Sequence, residues 1–298
     1  MTNEVQILDR ARCALAADDP ANVGFGIRFY SFETSKRGAV RTAGVIVRRS
    51  PNAPLALRPR EAETCARLAL ARTDAAARGK VALLGSAEVC VLQAGLRGAL
   101  RPALCGNAVA ASALALDVPE GRLRITSNDA RDLTVEFHRV SNSINQSWLV
   151  PGMSVEEFTW RGRLCFRVSG LNSYTLMTGG LPVGITAETC WTQTAMGQPN
   201  AKFAVFGQDA GQNHVAFYNA SGRHGAAPMT GLASVAIAAR ASHRFAAILG
   251  GQEVTYQAAG AIETVELPEI GHSKDGRLRI DLPRVDASVT PLAEEVLS

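Results

Sequence analysis

The chain has 298 residues, of which 47% are hydrophobic and 19% charged, with a formal net charge of +4. That balance specifies a soluble globular protein of one large or two ordinary domains and excludes a disordered chain. No basic block with interleaved aromatics points to nucleic acid, and no apolar run is long enough to span a membrane. The first stretch, Met1–Pro20, mixes acids with apolar residues and reads as a short amphipathic helix rather than a signal sequence. Six scattered cysteines (Cys13, Cys65, Cys90, Cys105, Cys165 and Cys190) form no CxxC pair, and no histidines cluster beside them. We therefore expect a cytoplasmic protein with reduced thiols and no metal site.

Strand-like runs dominate the first half: "VGFGIRFYSF", "GVIVRR", "KVALLG", "EVCVLQAG", "RLRITS" and "LTVEFHRV". Between the second and third, Arg60–Gly79 has helical apolar spacing and ends on a glycine suited to a C-cap. After the fourth comes "CGNAVAASALAL", a short buried helix with Cys105, Gly106 and Asn107 at its cap. Backbone N–H groups at such an end lack intrahelical partners, so they favour a thiolate or a bound anion. A polar stretch, Ser141–Ser147, is the expected boundary, giving domains 1–146 and 147–298.

The second half repeats the plan with "LCFRVSG", "KFAVFG", "HVAFYNA", "EVTYQ", "IETVEL" and "GRLRIDL". Its one strong helix, "PMTGLASVAIAARAS", aligns with the first when Cys105 is set against Pro228. Small residues then coincide at Ala110 with Ala233, Ala113 with Ala236 and Ala115 with Ala238. Alanine at so many positions lets strands enclose a helix tightly. The fold class expected is α+β: two pseudo-symmetric, β-rich, barrel-like domains, each wrapped around one central helix. Both helix starts are expected to face one cleft, suited to a carboxylate.

These features resemble the diaminopimelate-epimerase-like fold, whose epimerases and racemases begin both helices with a cysteine. Here Pro228 and Met229 stand at the second position, leaving one thiol. The closer resemblance is to the PrpF branch of 2-methylaconitate cis-trans isomerases, aconitate isomerases and oxalomesaconate tautomerases. That branch keeps a single "CGN" cap, matched by Cys105, Gly106 and Asn107, and a Thr-Gly cap matched by Thr230 and Gly231 beside Met229. Its N-terminal "TSKG" is matched by Thr34, Ser35 and Lys36, and its C-terminal "HPSG" turn by His272 and Ser273. Its catalytic lysine, which opens the strand before the cysteine, corresponds to Lys80.

The resemblance implies an isomerase without a cofactor, in which Cys105 and Lys80 shift a proton along an allylic system. A thiolate at a helix start and a desolvated lysine suit acid and base roles, and the residues leave open which is which. Thr34, Ser35, Lys36, Gly106, Asn107, Met229, Thr230, Gly231, His272 and Ser273 are the expected substrate contacts. The expected partner is a small carboxylate-type molecule, and a homodimer is allowed for. A one-thiol epimerase or racemase, and an inactive binding protein of the same fold, remain as alternatives.

Overall fold

The structure, a computed structural model, describes residues 26–36, 39–49, 80–94, 100–126, 133–194, 201–209, 212–219, 222–224, 227–258 and 261–296. The helices expected over Met1–Pro20 and Arg60–Gly79 lie outside these residues.

The first elements are strands β1 (Gly26–Lys36), β2 (Ala39–Arg49), β3 (Lys80–Leu84), β4 (Glu88–Ala94) and β5 (Leu100–Pro102), then helix α1 (Gly106–Ala115). Strands β6 (Glu120–Ile125), β7 (Thr134–Val140), β8 (Ser143–Val150), β9 (Ser154–Trp160), β10 (Arg163–Ser169) and β11 (Tyr174–Met177) follow. Helix α2 (Ala187–Thr194) leads into β12 (Lys202–Asp209), β13 (Gln212–Asn219) and β14 (Gly222–Arg223). Helices α3 (Met229–Ala241) and α4 (His243–Leu249) precede β15 (Glu253–Ala258), β16 (Ala261–Glu266), β17 (Glu269–His272) and β18 (Leu278–Val296).

The chain divides into two compact units. Unit 1 draws on Met1–Asn128, Thr134–Gln146 and Arg284–Ser298, and unit 2 on Asp129–Leu133 and Ser147–Pro283. The segment Arg284–Ser298 thus goes with unit 1 and not with the rest of 147–298, because β18 pairs with β1 along Gly26–Ser35. The polar stretch Ser141–Ser147 contains the division after Gln146 and, after a turn, forms the start of β8. Its polar side chains are consumed within the fold, Ser143 donating to the Asp286 carboxylate and the buried Gln146 amide donating to the Gly106 carbonyl at 3.1 Å.

In unit 1 the ladder runs β1-β2-β3-β4-β6-β7-β8-β18, and β18 pairs back onto β1, so the sheet closes on itself. Closure leaves no open edge and encloses an interior that side chains must fill. Helix α1 fills it, with nine residues from Gly106 to Ala115 buried. Its alanines keep the helix narrow, while Val109 and Leu114 supply bulk worth about 1.5–3 kcal/mol each. Two side-chain bonds orient it. The Asn107 amide in its first turn donates to the Thr42 hydroxyl at 2.7 Å. The Arg48 guanidinium donates to the Ala115 carbonyl at 2.7 Å, capping the negative end. Thr42 and Arg48 share strand β2, so α1 runs in the direction of β2, and of β3, which is parallel to it.

Unit 2 has a sheet ordered β16-β15-β13-β12-β11-β10-β9, with β14 on β13. Its core holds fully buried Phe166, Phe203, Phe217, Phe245 and Tyr256, and Phe245 meets Phe166 and Phe206 edge-on. Helix α3 has nine buried residues and begins after Pro228. The pairing pattern repeats that of unit 1. Antiparallel, parallel, antiparallel, parallel, antiparallel describes β1-β2-β3-β4-β6-β7 and equally β10-β11-β12-β13-β15-β16. Short β5 and β14 hang from the fourth strand of each set, just before the helix. The expected plan of two pseudo-symmetric β-rich units, each with a central helix, is the plan observed. Among the described residues no helix is long and apolar enough to cross a membrane.

Candidate active site

Cys105 is the N-cap residue of α1, in extended conformation, and its side chain makes no capping hydrogen bond. The thiol is half-buried and free. The first intrahelical bond runs from the Val109 N–H to the Cys105 carbonyl, leaving the N–H groups of Gly106, Asn107 and Ala108 without intrahelical acceptors. A partial positive charge therefore surrounds Cys105.

Sheet register shows which face of the barrel meets that helix end. Residues paired directly across a sheet share a face, and residues two apart along a strand do too. Thr42 and Arg48 bond to α1, so the even-numbered side of β2 faces the interior. Gly44 lies on that side and is paired with Lys80, which is paired with Gln93. Lys80 therefore points inward, and its Nζ donates to Gln93 Oε1 at 2.6 Å. Thr42, two residues before Gly44, holds Asn107. The lysine and the cysteine-bearing helix start thus lie at the same end of the barrel.

Thr34 joins them there. It is paired with Thr42, is 1% exposed, and donates its hydroxyl to the Thr42 carbonyl at 3.3 Å. Ser35 and Lys36 follow on β1 after a register shift, and their side chains lie outside the described residues. Gly106 is buried under the Gln146 amide. Among the described residues no cluster of three or more His, Cys, Asp or Glu side chains could hold a metal.

The remaining expected contacts belong to unit 2. Thr230 is buried and accepts from the Asn172 amide at 3.0 Å. Met229, half-buried, opens α3. Gly231 serves packing: a Cβ there would stand 2.6 Å from the Phe217 ring and 2.8 Å from Pro228. Its N–H is taken by the Pro228 carbonyl at 2.9 Å, so α3 starts with a tighter turn than α1 and offers fewer N–H groups. His272 ends β17 on the surface. Ser273 opens the hairpin turn that follows, its hydroxyl bonded to the Asp275 carboxylate and to the Arg277 carbonyl at 3.0 Å. The Arg277 guanidinium and that hydroxyl hold the Asp275 carboxyl below the usual carboxylate range.

A second strand-opening lysine is not singled out by the sequence. Lys202 opens β12 as Lys80 opens β3, and the strands read "KFAVFG" and "KVALLG". Its parallel partner is Tyr174, the counterpart of Gly44, and Lys202 Nζ sits 5.7 Å from the centre of the Tyr174 ring. Two residues before that partner, Asn172 bonds Thr230 as Thr42 bonds Asn107, with amide and hydroxyl exchanged between strand and helix. The signal that could have found it is the repeated Lys-x-Ala, a weaker pattern than the repeated alanine-rich helix.

Among solved structures the chain is similar to a putative phenazine biosynthesis PhzC/PhzF protein from Clostridium difficile (strain 630). Identity is 11%, the TM-score is 0.50, and the match covers 90% of this chain and 98% of that one. It is also similar to a predicted epimerase from Pseudomonas aeruginosa, at 12% identity and a TM-score of 0.49, over 91% and 98% of the two chains. The chain has the diaminopimelate-epimerase-like fold. No family model matches it, and no curated protein sequence does. At 11% identity the likeness shows the fold alone.

Proposed function

We propose that the protein is an isomerase that moves a proton between neighbouring carbons of an unsaturated carboxylate, shifting a double bond or its geometry. The observation that carries this reading is that Cys105, at the head of α1, and the inward-facing Lys80 of β3 lie at the same end of the unit 1 barrel. An adjacent carboxylate or carbonyl makes the C–H acidic and spreads the charge left when the proton departs. The N–H groups at the head of α1 are aimed where such an anion gathers charge. One of the pair, thiolate or amine, takes the proton; the other, as thiol or ammonium, returns one to the neighbouring carbon. Overall, one C–H bond breaks, another forms and the double bond moves.

The "CGN" match at Cys105–Asn107 and the strand-opening Lys80 favour the PrpF type of chemistry within this fold. Pro228 at the second helix start removes the thiol that a two-cysteine racemase needs, which favours a proton shift over inversion between two thiols. The test is kinetic, on a panel of unsaturated di- and tricarboxylates including aconitate. Cys105→Ser and Lys80→Ala should each lower turnover by roughly 10²–10⁴-fold, and the double variant should be scarcely worse than either. A substrate converted equally well by all three variants would end this reading.

A further inference from the structure

We propose that Gln93 is a positioning residue for Lys80, fixing its amine inside the barrel through a neutral acceptor; this rests on the proton-shift reading above. Gln93 is the direct register partner of Lys80 across the β3–β4 ladder, on the same inward face, and its Oε1 accepts from Nζ at 2.6 Å. On the other side of Lys80 stands Gly44, which has no side chain to offer. Among the described residues a single acceptor therefore sets the direction of the lysine's long stem. Lysine carries much rotamer freedom, and one short hydrogen bond from a rigid neighbouring strand removes it at folding rather than at substrate binding.

The acceptor's chemistry matters as much as its place. A glutamine oxygen is neutral, so it orients the amine without forming an ion pair. A carboxylate at 93 would hold the ammonium as a salt bridge and oppose release of its proton. Among the described residues, the ionisable groups on the inward side of the elements around Lys80 are Cys105 at the head of α1 and Arg48 on β2. Arg48 lies at the far end of the helix, bonded to Ala115. Arg101 stands at the register position opposite Gln93 on β5. Glu88 of β4 is paired with Arg124, away from this face. At the equivalent lysine of unit 2, Tyr174 takes the place of Gly44 and its ring lies 5.7 Å from the ammonium.

The test uses the full chain and two side chains of nearly the same shape, Gln93→Glu and Gln93→Met. Each variant is checked for native far-UV circular dichroism. Trace acylation with acetic anhydride across pH, read at the Lys80 peptide by mass spectrometry, reports when the amine is free. Gln93→Glu should move the half-maximal pH up by about 1–3 pH units, and Gln93→Met should move it down. Folded variants whose Lys80 profile matches the parent overturn the proposal. If the profile moves while carboxylate turnover is indifferent to Lys80→Ala, the positioning role stands and the proton-shift reading falls. If turnover needs Lys80 but its profile ignores residue 93, the reverse holds.

Discussion

Replacing Gly44 by alanine should destabilise unit 1, against the ordinary trend for strand glycines. In an open strand, alanine gains roughly 0.5–1 kcal/mol over glycine by restricting the unfolded chain. At position 44 the added Cβ would stand 2.3 Å from the Lys80 carbonyl oxygen and 2.8 and 2.9 Å from two Phe32 ring carbons. The carbonyl belongs to the neighbouring strand, and Phe32 is 2% exposed, so neither can swing aside freely. Overpacking of this kind costs about 1–3 kcal/mol, and a clash with backbone belongs at the upper end. The net loss is then about 1–2 kcal/mol, or a roughly 5–30-fold change in the folded ratio.

Trp148 lies on β8 of the closed sheet while Trp160 and Trp191 lie elsewhere in Ser147–Pro283, so fluorescence mixes signals from the two units. Hydrogen exchange of peptides covering Ala39–Arg49 and Lys80–Leu84 is the suitable assay, and Gly44→Ala should exchange faster there. Gly271, on strand β17, provides the sign control, because a Cβ added there would meet nothing within 4 Å. Its alanine variant should be neutral or slightly stabilised. Unchanged or slower exchange in Gly44→Ala would refute the packing argument, and with it the close β2–β3 approach that aims Lys80.

Unit 2 should lose stability at high pH through its buried thiols, Cys165 foremost. Burial, and then the neighbouring Cys190, push Cys165 from its usual 9.0 to about 11. Between those values the unfolded chain ionises while the fold keeps its proton, so stability falls as pH rises from about 9 to about 11, by about 2–3 kcal/mol. Urea unfolding followed by tryptophan fluorescence should show this slope, and Cys165→Ala should flatten it; an unchanged slope would contradict the assignment. Iodoacetamide near neutral pH should label Cys105 before Cys90, Cys165 and Cys190, whose thiols burial pushes up. Peptide mapping that finds the four labelled at one rate would count against a reactive thiol at the helix start.

The fold is legible in the sequence wherever local signals agree with tertiary demands. The alanine-rich helices stand out because few other settings tolerate so many small residues, and Cys105 and Pro228 do occupy matching N-caps. Ser141–Ser147 is legible as the place where the units divide, but not as strand: as β8 its polar side chains find partners in Asp286, Gly106 and Asp281. Strand β18 is apparent only over its first residues, since nothing local announces that Arg284 onward returns to close the first barrel. In the site, Cys105 is visible from its helix and Lys80 from its strand. Gln93 is not, because glutamine inside a strand carries no chemical signature until the register sets it opposite a lysine. His272 and Ser273 look like a binding turn, and the hairpin explains the serine by its own bonds to Asp275 and Arg277.

In the proposed reaction the head of α1 makes and breaks a C–H bond beside a carboxylate. Proton NMR in deuterated water, with the full chain and each unsaturated carboxylate of the panel in turn, measures this directly. The account predicts that at least one compound exchanges a carbon-bound allylic hydrogen for deuterium, and that Cys105→Ser and Lys80→Ala each slow this exchange by roughly 10²-fold or more. Exchange that proceeds at the parent rate in both variants, or no exchange in any compound that the chain isomerises, would contradict it.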